Sequence, residues 1–114
     1  MKVNNIYIFI YLYIYMSKKN IISKYSNPTQ VYRLASKYLG KKAKIGLSTK
    51  KNKKYMVTTP DGKLVHFGQI GYEDFTKHKN KTRRKNYLAR SCKIRGKWKS
   101  NKYSPNNLSI HLLW

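Results

Sequence analysis

The sequence predicts a small single α+β domain. An N-terminal helix, a two- or three-stranded antiparallel sheet with a hairpin, a basic helix and an apolar C-terminal tail are expected in that order. Three observations carry the expectation. Asn27-Pro28-Thr29-Gln30 is a helix start, and apolar residues follow it at helical spacing. Two β-compatible runs, Tyr55-Met56-Val57-Thr58 and Leu64-Val65-His66-Phe67, flank Thr59-Pro60-Asp61-Gly62. That connection has turn chemistry, with φ preset by Pro and the left-handed region open to Gly, so the pair reads as a hairpin. Finally, the chain closes on Leu108, Ile110, Leu112, Leu113 and Trp114, too apolar a set to stay in water.

Taken in order, residues 1–15 form an apolar leader, with the run IYIFIYLYIYM at 6–16. Its 11 residues fall short of the ~20 that a membrane-crossing helix needs. Lys2 supplies a weak positive start for a secretory signal, but SKKN lacks a small-residue cleavage pattern. The reading that fits best is A/T-rich leader sequence that is not part of the protein, with Met16 as the true start. A signal or membrane anchor and a genuine β-strand are the alternatives. Residues 16–27 then make a loose basic arm, and residues 28–114 the domain.

The first helix has Asn27 as its cap, Pro28 at the first helical position and Gln30 closing a capping-box-like pair. Val31, Leu34, Ala35 and Tyr38 share its apolar face, and Gly40 is its stop. Arg33 and Lys37 lie on another face. Residues 43–49 alternate weakly and offer a third strand, with Gly46 against it. After the hairpin, Tyr72 and Phe75, with Ile70 as a third candidate, are expected to pack on the sheet as a short helical turn. Glu73 and Asp74 stand at its front, where carboxylates suit a helix start. Residues 79–95 form the second long helix, capped by Asn80 or Thr82 and ended by Gly96. Leu88 and Cys92 share one arc of it, Tyr87 and Ile94 another. Ser104-Pro105-Asn106-Asn107 is a turn or cap ahead of the tail.

Lys and Arg total 26 against three acidic residues, for a formal charge of +23. Self-repulsion on that scale opposes compaction unless counter-charge is supplied. The cations run from Lys18 to Lys102, and 11 tyrosines argue against a disordered basic tail. The expected partner is therefore nucleic acid, DNA before RNA. A membrane partner is expected only if residues 6–16 are a real anchor.

Candidate phosphate contacts are Lys50, Lys51, Lys53 and Lys54 beside the hairpin, Arg83, Arg84, Lys85 and Arg90 on the basic helix, and Lys97 and Lys99 in the tail. Each such contact displaces condensed counterions and positions the protein without reading bases. The competing reading is a solvated, solubilising surface. Trp98 and Tyr103 could stack on bases between Lys97, Lys99 and Lys102, although core packing is preferred for Trp98. His66 is read as a surface or satisfied strand residue, and Cys92 as a small packing residue. His78 with Glu73 and Asp74 is too thin a set for a metal-dependent nuclease. A single cysteine and three histidines give no zinc-finger spacing. No catalytic residue, metal or cofactor is expected.

Taken together, Tyr32-Arg33-Leu34, the run from Ser48 to Val57, Gly62-Lys63 and Val65-His66-Phe67-Gly68 carry a family resemblance. It continues through Gly71 to Lys79, Arg83-Arg84, Tyr87-Leu88-Ala89-Arg90, Lys97-Trp98 and Ser104-Pro105-Asn106-Asn107-Leu108-Ser109-Ile110. On these residues the chain resembles a family of small, uncharacterised basic proteins of nucleocytoplasmic large DNA viruses, mimivirus-like and iridovirus-like, with distant members in tailed phages. The resemblance spans roughly residues 28–114 and leaves 1–15 outside. It implies a setting in the virion or the cytoplasmic virus factory, and it implies no activity. The expected function is sequence-independent DNA binding, in that setting organising or packaging a genome. The alternatives are an internal virion protein held by its apolar tail to an acidic capsid or membrane partner, and thirdly a nuclease.

Overall fold

The computed structural model describes residues 5–114; Lys2 and the rest of the first four leader residues lie outside the described residues. The order is α1 (Asn5–Ser23), α2 (Pro28–Leu39), β1 (Lys44–Leu47), β2 (Lys53–Thr58), β3 (Leu64–Gln69), α3 (Phe75–His78), α4 (Lys81–Ser91), a 3-10 turn (Trp98–Ser100) and α5 (Pro105–Leu112). The α+β class is as the sequence predicts, and the sheet has three antiparallel strands in the order β1-β2-β3.

The hairpin turn closes as its chemistry dictates. Gly62 N–H donates to Thr59 O at 2.9 Å, Lys63 N–H donates to Thr59 Oγ1 at 3.0 Å, and Gly62 takes φ +85°. Register then aligns Leu47 with Tyr55 and Tyr55 with Phe67, and likewise Ile45 with Val57 and Val57 with Val65. Because side chains alternate across a strand, these rows form the inner face. Tyr55, Val57 and Phe67 are buried there with Val31 and Ala35 of α2, Ile22 of α1, and Leu108, Leu112 and Leu113 at the chain's end.

At the α2 start, Asn27 accepts from Gln30 N–H, Pro28 leads, and Gly40 ends the helix at φ +98° as read. Gln30 does not close the capping pair, however: the Asn27 N–H donates to Thr76 Oγ1 and the Gln30 side chain accepts from Lys79. Ser104 caps α5 by accepting from Asn107 N–H, and Asn80 caps α4 by accepting from Arg83 N–H. Of the two places expected for the apolar tail, it takes the core, docking there as a helix.

Several local expectations are corrected. The arm at residues 17–23 is helical, continuing α1, because Ile22 is fully buried and fixes that end to the body. Residues 6–16 are helical too; a helix pairs its own backbone where a lone strand would need a sheet edge. All 11 of these side chains remain 40–74% exposed. No helix among the described residues is long and apolar enough to cross a membrane. α4 stops at Ser91, five residues before Gly96, and Cys92 is exposed rather than packed. Tyr72 is 71% exposed, and of the residues around this turn it is Ile70 that packs against the core. Trp98 is half-buried outside the core, its indole N–H donating to Ile94 O at 2.7 Å.

Candidate nucleic-acid interface

The four hairpin lysines separate into two kinds. Lys50 and Lys51 are exposed at the β1–β2 turn, and Lys53 is half-buried at the start of β2. Lys54 is 2% exposed, which removes it from any phosphate contact. Its ammonium donates to Asp74 Oδ2 at 3.1 Å and to Tyr72 O at 2.6 Å. Burial lowers the Lys54 pKa, and the adjacent Asp74 carboxylate only partly offsets that. A cation so enclosed must be paired and hydrogen-bonded to persist.

Asp74 is the hub of that enclosure. Its Oδ1 accepts from the Thr76 N–H at 3.0 Å and from the Thr76 hydroxyl, which starts α3. Thr76 Oγ1 accepts from Asn27 N–H at 2.9 Å and meets Ser26 Oγ at 3.2 Å. The Tyr55 hydroxyl completes the chain by donating to Ser26 Oγ at 2.7 Å. This network joins the α1–α2 junction, β2 and α3, so Lys54 and Asp74 are architectural. Gly68 sits opposite Lys54 at φ +81°, where a Cβ would come within 3.0 Å of Leu113 Cδ1 and 3.1 Å of Lys54 Cβ.

Around Lys50 the structure gathers charge that the sequence did not single out. Lys18 Nζ donates to Lys50 O at 2.8 Å, so the end of α1 braces the turn. Lys50 N–H donates to Ser48 Oγ at 3.0 Å, and Ser48 Oγ lies 2.7 Å from His66 Nδ1. The His66 pKa is lowered, first by burial and then by Lys50, Lys18 and Lys53. His66 is therefore a satisfied strand residue inside a cationic field. Lys18 was hidden because residues 17–26 read as a loose arm. Ile22, one helical turn beyond it, was the available signal.

The basic helix divides similarly. Arg83 forms an ion pair with Glu73 at 3.5 Å. Arg84 Nε donates to Trp114 O at 2.6 Å, and its guanidinium lies 5.2 Å from the centre of the Phe75 ring. Arg84 is thus a clamp on the chain's end as much as a free cation. Lys85 and Arg90 are exposed. Lys97 and Lys99 are also exposed, with Lys99 Nζ 5.5 Å from the centre of the Trp98 ring. This pair is not among the residues lining the cavity that Lys53 enters.

Lys53, Arg83 and Arg90 do come together. They line a cavity of about 620 Å³ bounded by β3, α4 and the last turn of the chain. Tyr87 and Trp114 form one wall, their rings stacked at 4.1 Å and 7°. No group of three His, Cys, Asp or Glu side chains capable of holding a metal occurs among the described residues.

Residues 43–91, from the approach to β1 to the end of α4, match a family model described as "Family of unknown function (DUF5754)". The matched stretch contains the whole sheet, the Lys54–Asp74 pair and the cavity's other cations, Lys53, Arg83 and Arg90, and it omits α2 and α5. No curated protein and no solved structure matches the chain.

Proposed function

We propose that this protein binds nucleic acid, DNA foremost, through backbone phosphates, without sequence preference and without catalysis. In a large DNA virus it would organise or package the genome. The observation that carries the reading is the charge balance of the folded chain. Each acidic side chain is already matched by a cation: Asp74 by Lys54, Glu73 by Arg83 and Asp61 by Lys63. Of the 26 Lys and Arg, Lys2 lies outside the described residues and three are in these pairs, which leaves 22 with no carboxylate side chain in reach. A phosphodiester chain supplies about one charge per 1.7 Å of duplex and answers that excess.

Lys50, Lys51 and Lys53 form the proposed hairpin contact, with Lys18 beside them. Lys85 and Arg90 extend it, and Lys97 and Lys99 form a separate point of attachment. The test is fluorescence anisotropy with labelled duplexes of unrelated sequence. Similar affinities across sequences, weakened in every case by Lys50→Glu with Lys51→Glu, are expected. Absence of binding to any duplex at low salt would overturn the proposal.

A second reading, attachment to an acidic capsid or membrane-associated partner, has one observation in its favour. It is no longer the C-terminal tail, since Leu108, Leu112 and Leu113 are buried in the core. The exposed apolar length of α1 takes that place. Removing residues 1–15 abolishes partner association under this reading and leaves duplex binding intact under the first.

A further inference from the structure

We infer that the cavity between β3, α4 and the chain's end receives one unpaired nucleotide, so that the protein grips single strands differently from duplex. The inference rests on the nucleic-acid reading above and adds a distinct site to it. A duplex can be held by lysines on a surface, but a concave site of about 620 Å³ suits a small molecular unit. Its lining offers the three chemistries of a nucleotide. Arg90 and Lys53 supply phosphate donors and are in no ion pair among the described residues. Asn86 and Gln69 are exposed amides that can both donate to and accept from a base edge. Tyr72, 71% exposed, supplies a ring at the cavity.

The acidic residues on the wall do not spoil the site for a phosphate. Asp74 is neutralised by Lys54 at 3.1 Å, and Glu73 by Arg83 at 3.5 Å. The Arg83–Glu73 pair is partly solvated and therefore weak, so Arg83 can turn toward a bound phosphate. Tyr87 is already stacked on Trp114, which keeps that wall rigid. Lys50 and Lys51 are exposed on their turn and line no part of this cavity.

The test compares the intact chain with Asn86→Ala and Tyr72→Ala, both exposed positions, with circular dichroism verifying the fold. Titrants are deoxyadenosine monophosphate, inorganic phosphate, a single-stranded 12-mer and a blunt duplex of the same sequence. The nucleotide should bind more tightly than phosphate. Tyr72→Ala should weaken nucleotide and single strand by roughly tenfold, within the range of base stacking on aromatic rings, and Asn86→Ala by roughly threefold to tenfold, as the loss of a base-edge hydrogen bond does. Duplex affinity should stay within about twofold, because no phosphate-binding charge is removed. Three results would overturn the inference: phosphate binding as well as the nucleotide, both substitutions leaving single-strand affinity unchanged, or single strand and duplex weakening together. In each of these the duplex-binding proposal is judged separately, by whether the intact chain binds duplex at all.

Discussion

Lys54 and Lys50 are the same residue type four positions apart, and the fold gives them opposite tasks. Lys54 is enclosed with Asp74, so Lys54→Met leaves a buried carboxylate unpaired. We expect it to cost about 3–5 kcal/mol of stability, measured by urea unfolding. Lys50→Ala should change stability by less than about 0.5 kcal/mol, as an exposed substitution does, while weakening DNA binding. A Lys54→Met protein as stable as the parent would remove the architectural role. His66 gives a second test at this scale. Its folded-state pKa lies below its ordinary value of 6.5, because burial and the charges of Lys50, Lys18 and Lys53 disfavour the imidazolium. The unfolded chain therefore takes up the proton more readily. Stability rises with pH through the interval between the folded pKa and 6.5, and falls on acidification through it. His78 is shifted in the same direction, by burial and then Arg83. Melting temperature should fall between pH 7.5 and 5, and His66→Gln should reduce that fall. An undiminished fall in the variant would count against the His66 assignment.

At the scale of elements, what could be read from the sequence was what local chemistry decides. Asn27-Pro28, Thr59-Pro60-Asp61-Gly62 and Ser104-Pro105 each carry their own punctuation, and each starts or turns the chain where expected. The apolar tail was legible for a different reason: five large hydrophobes in seven residues have no stable place in water. Lys54 was not legible. Its partner stands 20 residues away, and only the folded path from β3 through Tyr72 brings Asp74 beneath it. The cavity was hidden likewise, since Lys53, Arg83 and Arg90 are scattered in sequence and meet only across β3 and α4. α1 misled because an Ile-Tyr alternation has neither helical nor strand amphipathicity to read. The helix is nevertheless tied to the body by Lys18 and Ile22 near its end. A chain beginning at Met16 keeps both contacts. Its melting temperature should lie within a few degrees of the full chain's, with self-association reduced as the exposed apolar surface is lost. A collapse of the melting transition would show that residues 5–15 belong to the folding unit.

The whole molecule is a compact α+β body with α1 attached, measuring 54 × 32 × 23 Å over the described residues. It carries 26 basic side chains against three acidic ones. Among the described residues, a core of ten buried apolar side chains and one buried ion pair hold that body together against its own repulsion. Cations not committed to the architecture stand at the β1–β2 turn, along α4 and in the segment after it. On the function proposed above, those cations displace counterions from a phosphodiester chain, and the salt dependence of duplex affinity reads that displacement. With about 5–7 phosphates engaged, log K should fall against log[salt] with a slope of roughly −4.5 to −6. A slope near zero, or no binding in dilute buffer, would contradict the claim and assign the lysines to a different acidic surface.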